Sequence, residues 1–164
     1  MKHLTTAIVL AMLLSACSGP STGPSTGTAT ASATSPAESI HINGSWRLVT
    51  GITITKGDST VTDYTKDQSM IKIVNDTHFA FLRHGLGAAR DSAGMFDAGG
   101  GRYTLNGDKY TEHLDYYNDK NWEGKAFDFT VSINHDTLIQ RGVEKVEKEN
   151  VDRVIIEKYL RIKE

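Results

Sequence analysis

The sequence predicts an all-β protein, a single antiparallel β-barrel of about eight to ten strands that follows a leader and a tether. Three observations lead to this prediction. From residue 40 onward short segments of alternating apolar and polar residues follow one another, and none keeps a 3.6-residue apolar period. The only cysteine cannot form an internal disulfide, so the fold must rest on a hydrophobic core. The roughly 125 residues after the tether are enough to build one.

Composition and spacing exclude several classes of function. The formal net charge of the 164 residues is −2, without the clustered basic face that nucleic-acid binding requires. The six histidines show no metal-ligand spacing, so we expect neither metal nor cofactor. Glu112 and His113 point to opposite faces of a strand and cannot act on one substrate, and no nucleophile motif is present. We therefore do not expect an enzyme.

The first residues predict export and lipidation. An apolar run over residues 7–14 is too short to span a bilayer and follows a basic start at Lys2 and His3. It ends on Leu-Ser-Ala-Cys at residues 14–17, which resembles the bacterial lipoprotein lipobox. That resemblance implies removal of residues 1–16 and lipid attachment at Cys17, and Ser18 in place of Asp implies the outer membrane of the cell envelope. The alternative is an ordinary secretory signal with an incidental cysteine.

A flexible tether should follow the lipidated cysteine. Residues 18–39 are almost entirely Ser, Thr, Gly, Pro and Ala, with Glu38 as the one charge. Such a segment cannot bury enough apolar surface to fold. The predicted organisation is a signal peptide over residues 1–16, a lipidated and flexible segment over 17–39, and the barrel over 40–164.

The first half of the barrel is predicted from alternation and turns. The opening strand covers residues 44–54, with Trp46, Leu48, Ile52 and Ile54 expected on one face. A weak strand over 59–64 and a hairpin of strands 69–74 and 77–83 should follow, but which hairpin face points inward is left open. Residues 84–101 are expected to be a long irregular flap over one end, with the glycines at 99–101 marking a kink or bulge.

Asn106-Gly107 gives the strongest turn signal in the chain. A two-residue turn at these positions places Glu112 opposite Gly101. The inward face should then carry Tyr103, Leu105, Tyr110, Leu114 and Tyr116. Glu112 lies on this apolar side, and a buried carboxylate must be paired, hydrogen-bonded or protonated. It is either a structural partner of another side chain or a group that orients a ligand.

The last strands are predicted beyond a loop over residues 118–125. Phe127, Phe129, Val131 and Ile133 alternate with polar residues, and the chain returns through Leu138 and Gln140. Residues 144–150 should form a charged, solvated excursion. In the closing strand, residues 151–162, one face is expected to carry Ile155, Glu157, Tyr159 and Arg161.

Several motifs in order resemble the bacterial lipocalin-like domains, which occur in secreted lipoproteins and mostly lack an assigned function. They are Gly44-Ser45-Trp46, Asp76-Thr77-His78-Phe79, the segment 100–105, Tyr110-Thr111-Glu112-His113 and the ending Tyr159-Leu160-Arg161. In calycin barrels generally, the tryptophan of the first strand lies under a cationic side chain of the last. The resemblance therefore implies that Trp46 and Arg161 close the barrel base.

The predicted function is binding of a small apolar or amphipathic ligand inside the barrel. The residues expected to line the site are Tyr103, Tyr110, Glu112, Tyr116, Phe127, Phe129 and Gln140, with aromatic rings giving contact area and polar groups orientation. The alternative is a protein-interaction or inhibitor module whose barrel is filled by its own side chains, with residues 84–101 or 118–125 as the contact surface. An interior space of roughly 300 Å³ or more that reaches Glu112 would favour the ligand.

Overall fold

A computed structural model describes residues 40–91 and 95–163, which form nine β-strands and two short 3₁₀ helices. The leader, Cys17 and the tether lie outside the described residues. The strands are β1 (Gly44–Thr55), β2 (Asp58–Asp63), β3 (Gln68–Val74), β4 (His78–Gly85), β5 (Asp97–Asn106), β6 (Lys109–Tyr117), β7 (Ala126–Asn134), β8 (Thr137–Val146) and β9 (Val151–Arg161). The 3₁₀ helices are Gly87–Asp91 and Glu147–Glu149. Within the described ranges, no helix is long and apolar enough to cross a bilayer.

The strands close into a barrel, which confirms the predicted fold class. Every neighbouring pair is antiparallel, and β1 pairs with β9 to complete the circle β1-β3-β4-β5-β6-β7-β8-β9. β1 is long enough to have two neighbours on its other edge, β3 along residues 44–47 and β2 along residues 50–55. The barrel wall therefore has eight strands, and β2 extends β1 at one end.

A bulge in β1 changes which of its side chains face inward. The register with β9 shifts between Leu48 and Thr50. Before the shift Trp46 and Leu48 point inward, and after it the inward positions are Gly51 and Thr53. The prediction that Ile52 and Ile54 share the face of Trp46 is wrong for this reason, because one inserted residue reverses the alternation. A glycine and a threonine consequently face the interior where two isoleucines were expected.

The β5–β6 hairpin turns one residue later than predicted. Gly107 and Asp108 are the central residues, and Asn106 pairs with Lys109. Gly107 has a φ of +62°, as a first central residue of a hairpin turn of type II′ requires. Glu112 therefore lies opposite Tyr103 rather than Gly101. Each residue's partner moves by two positions, which leaves the predicted inward and outward faces of the hairpin near the turn unchanged.

The glycine run forms part of β5, and the bulge lies opposite it, where Leu114 and Asp115 of β6 face the single residue Gly101. β4 extends to Gly85 and β5 begins at Asp97, so the irregular connection is shorter than the expected 84–101 flap. The register of β5 with β6 shifts between Gly100 and Arg102. Beyond the bulge the alternation of β6 reverses: Tyr117 lines the interior, and Tyr116 is 68% exposed. The prediction that Tyr116 faces inward is therefore wrong.

One end of the barrel is closed by the predicted Trp46–Arg161 pair. The two residues are opposite each other in β1 and β9, and the Arg161 guanidinium lies 4.0 Å from the centroid of the Trp46 ring. The indole N–H donates to the Ile42 carbonyl at 2.8 Å, and Arg161 donates to the Asn43 carbonyl at 2.7 Å. These bonds fix the segment that enters β1 across the base of the barrel, next to the apolar core of the closed end, which includes Leu48, Val74, Leu138 and Tyr159.

Candidate functional site

A cavity of about 470 Å³ occupies the half of the barrel away from the Trp46–Arg161 pair. It begins near the level of Gly51 and Glu157, which pair across β1 and β9, and extends toward the end where residues 118–125 connect β6 to β7. Gly51 has no side chain, and the Tyr64 ring packs against its backbone, with Cε2 2.9 Å from the place that a Cβ would take. The bulge in β1 thus lets the Tyr64 ring form part of the cavity wall at this level.

Lys72 on β3 forms the centre of the cavity floor. Its ammonium group donates to the Glu112 carboxylate at 2.6 Å and to the Gln140 side-chain oxygen at 2.9 Å. It also lies 5.3 Å from the Tyr159 ring centroid and 5.7 Å from that of Phe79. The side chains of Lys72 and Glu112 are only 3% and 10% exposed, so they form a buried ion pair between β3 and β6. The hydrogen bond from Lys72 to Gln140 connects β8 to this pair. Glu112 has the basic partner that its burial required.

The upper part of the cavity combines ion pairs with aromatic rings. Arg153 on β9 pairs with Glu144 on β8 at 2.6 Å, and its guanidinium lies 5.9 Å from the centroid of the Trp122 ring. Glu144 was expected in a solvated excursion, but β8 continues to Val146 and turns this side chain inward. A second pair, Arg83 with Asp97 at 3.5 Å, joins β4 to β5. The aromatic lining here consists of Tyr64, Phe81, Tyr117, Trp122, Phe127 and Phe129.

Glu157 is the cavity acid without a basic partner at ion-pair distance among the described residues. It accepts a hydrogen bond from the Tyr159 hydroxyl at 2.8 Å, and it keeps part of its surface accessible because it faces the cavity. Burial raises the pKa of the Glu157 carboxyl, while the nearby Lys72 ammonium and the Tyr159 hydrogen bond act in the opposite direction. The same burial, together with the charge of Glu157, raises the pKa of the Tyr159 hydroxyl.

Four of the predicted site residues line this cavity together: Glu112, Phe127, Phe129 and Gln140. Tyr110 is buried beneath the cavity, where its hydroxyl has no hydrogen-bond partner; burial and the Glu112 charge raise its pKa. Tyr103 lies at the closed end and donates to the Asn75 carbonyl at 2.8 Å. Tyr116 lies on the outer surface for the reason given above.

Sequence reasoning missed most of the charged lining. Two signals for it were present, because Lys72 alternates with apolar Met70 and Val74 on β3 while Glu157 alternates with Ile155 and Tyr159 on β9. A charge within an apolar strand face indicates a buried partner. No comparable signal marks Glu144, which stands in a strongly charged stretch. In residues 40–91 and 95–163, no group of three His, Cys, Asp or Glu side chains is arranged to hold a metal ion.

Replacing Glu157 with glutamine is expected to stabilise the barrel at neutral and alkaline pH, by on the order of 1 kcal/mol. A raised pKa means that the folded barrel favours the protonated form of Glu157. The stability that this protonated acid contributes is complete below the ordinary glutamate pKa of 4.5 and is lost as the pH rises through the folded-state pKa. Glutamine resembles the protonated form at every pH. The Lys72, Glu112, Glu144 and Tyr159 side chains also act on Glu157.

Urea unfolding of the wild type and of Glu157→Gln from pH 4.5 to pH 8 checks this expectation. The advantage of the variant should grow as the pH rises. Glu147→Gln is the matched control, because Glu147 is 85% exposed and stands outside the cavity. A loss of stability in Glu157→Gln that is the same at every pH would contradict the assignment.

Comparison with known proteins finds similarity among solved structures only. No family model matches the sequence, and no curated protein matches it. Among solved structures, the chain is similar to a lipocalin-like protein from Bacteroides uniformis ATCC 8492, with 17% identity and a TM-score of 0.47 over 73% of this chain and 97% of that one. The fold assignment rests on strand order and barrel closure. The chain forms a closed eight-stranded antiparallel barrel with a Trp46–Arg161 base, the architecture that the resemblance to lipocalin-like domains implied.

Proposed function

We propose that this protein is an envelope lipoprotein whose barrel binds a small amphipathic molecule. The observation that carries the proposal is the cavity of about 470 Å³, which is within the size range of small-molecule sites and includes Glu112 in its lining. A barrel of eight strands can be filled by its own side chains. Here the open cavity leaves room for a ligand instead.

The lining favours an amphipathic ligand over a purely apolar one. The cavity walls carry three basic and four acidic side chains beside the aromatic rings, and an apolar molecule would cover these charges without replacing their contacts with water. A ligand with one polar end can satisfy them while its apolar part contacts Trp122, Phe127 and Phe129. The proposed role is binding without catalysis, so a bound molecule should be recovered chemically unchanged.

The location in the envelope is proposed from the sequence. The Leu-Ser-Ala-Cys segment at residues 14–17 supports acylation of Cys17, and the Ser18 that follows supports the outer membrane. Two or more acyl chains would hold the protein stably, whereas a single chain gives only marginal binding. Metabolic labelling with an alkyne-tagged palmitate in a bacterial host should label the wild type but not Cys17→Ala. A wild type that is secreted without label would overturn the anchor.

The alternative, an interaction or inhibitor module, predicts a different interior. It requires a barrel filled by side chains, with the 84–101 or 118–125 segments as the contact surface. The Lys72, Glu112 and Glu157 side chains instead border an open cavity, and this supports the ligand hypothesis.

Calorimetric titration of the full chain with three ten-carbon amphiphiles, decylammonium, decanol and decanoate, tests the proposed binding. At least one of them should bind saturably at one molecule per chain. It should also change the fluorescence of Trp122, which lines the cavity, and this change should be absent in Trp122→Phe. If none of the three binds saturably, the proposed function is wrong.

A further inference from the structure

The charges around the cavity do not balance in pairs. Lys72 pairs with Glu112, Arg83 with Asp97, and Arg153 with Glu144. Glu157 is the seventh charged group of the lining, and within the described part of the chain no base lies at ion-pair distance from it. The lining therefore carries one acidic group more than its bases compensate.

The position of Glu157 makes its carboxylate available to a ligand. One carboxylate oxygen accepts the Tyr159 hydroxyl hydrogen, and no hydrogen bond to the other oxygen is formed in the described residues. Glu157 sits at the deep end of the cavity and lines it, across from Gly51, whose backbone is covered by the Tyr64 ring. Burial removes the hydrogen bonds that a carboxylate makes with water, and this carboxylate has no cationic donor among the described residues to replace them. A cationic group on a ligand would supply that donor.

The neighbouring Lys72 shows that this interior accommodates an ammonium group. Its Nζ atom is held by a carboxylate, an amide oxygen and the faces of two aromatic rings. The rings attract a cation through their quadrupoles, and the attraction is stronger where water is excluded. A second ammonium beside Glu157 would lie in the same environment and would make the floor of the cavity neutral.

We propose that the ligand is a monocationic amphiphile, an amine with one apolar chain, whose ammonium group binds the Glu157 carboxylate at the floor of the cavity. This inference rests on the proposed function, because it specifies the ligand class for the same cavity. The apolar chain extends toward Trp122 and Phe127 at the other end. The two arginines there are paired with Glu144 and Asp97, and among the described residues the free Arg83 Nε donor is the one group at that end that could bind an anionic head group, an outcome that decanoate tests.

The ranking of decylammonium, decanol and decanoate tests the ligand class separately from the existence of a site. The three probes share one apolar chain and differ in the charge of the head group. A hydrogen-bonded charge pair in a buried site should favour decylammonium over the other two by about tenfold or more in Kd. Glu157→Gln should reduce this preference to about twofold, whereas Glu147→Gln should keep the full preference.

Each other outcome overturns the ligand class. Equal affinity for the three probes would show that the cavity binds an apolar chain but does not select the charge of the head group. Tighter binding of decanoate would show that an anionic head group binds Arg83 or Arg153. A preference for decylammonium that survives in Glu157→Gln would place the ammonium elsewhere. The wild-type ranking alone decides between these head groups if the variant does not fold. Failure of all three probes to bind rejects the proposed function itself.

Discussion

Replacing Lys72 with methionine is expected to lower the free energy of unfolding by about 3–5 kcal/mol, because it leaves the Glu112 carboxylate buried and without a base. Lys72 donates to Glu112 and to Gln140, and its ammonium lies close to the rings of Phe79 and Tyr159. It also lowers the cost of holding the charge of Glu157. Methionine can fill much of the same volume, so the loss measures the missing charge rather than a missing side chain.

Urea unfolding of Lys72→Met beside Lys66→Met measures this effect. Lys66 pairs with Asp63 at 3.3 Å, but its side chain is 77% exposed, and such surface pairs contribute about 0–1 kcal/mol. The double variant Lys72→Met with Glu112→Leu should recover most of the stability, since both members of the buried pair are then apolar. A loss of less than about 1 kcal/mol in Lys72→Met would contradict a buried ion pair at the centre of the barrel.

Replacing Trp46 with alanine is expected to destabilise the barrel by about 3–5 kcal/mol. The Trp46 side chain is completely buried at the closed end, and its indole N–H satisfies the Ile42 carbonyl. Alanine would leave a cavity in the core, an unpaired carbonyl and an Arg161 guanidinium without the ring beneath it. Denaturation of the variant in urea, followed by circular dichroism, gives the change in free energy.

Trp122→Ala is the matched control, since the sequence contains only these two tryptophans. Trp122 is partly buried over the cavity, so its loss should cost less than half as much in stability and should instead weaken ligand binding. A cycle of Trp46→Leu and Arg161→Met isolates the cation–π contact, with an expected coupling of about 1–2 kcal/mol. Equal losses in the two tryptophan variants would show that Trp46 does not close the barrel.

The fold could be predicted from the sequence because alternation and turn residues act locally. The strand of Phe127 and Phe129 and the closing strand of Tyr159 and Arg161 alternate without interruption, and the structure has their faces as predicted. The pairing of Trp46 with Arg161 came from the family resemblance. It follows from no local pattern, since the two residues lie at opposite ends of the domain.

Bulges limited what alternation could predict about the interior. A single inserted residue in β1 turned Ile52 outward and Gly51 inward. One in β6, opposite Gly101, turned Tyr116 outward and Tyr117 inward. A bulge is decided by the pairing with a neighbouring strand, which the strand's own sequence does not specify. The predicted site therefore kept Glu112 and Gln140, which lie on uninterrupted stretches, and lost Tyr116.

The charged lining was hard to predict because burial of a charge depends on partners distant in sequence. Lys72 is acceptable inside only because Glu112 and Gln140, on β6 and β8, face the same point. In the sequence alone, Glu112 is an isolated acid on an apolar strand face. In the barrel it belongs to a set of charges that line the cavity and that favour a ligand with a polar end.

Filling the cavity is the most direct test of the claim that this barrel binds a ligand inside. Thr53 lines the cavity on β1 opposite Ile155, so Thr53→Trp should occupy the space, whereas Ser132→Trp adds the same ring to the outer face of β7. Calorimetry with decylammonium should give one site per chain in the wild type and in Ser132→Trp, and at least tenfold weaker binding in a folded Thr53→Trp. Equal binding by all three proteins would place the ligand outside the barrel and contradict the account.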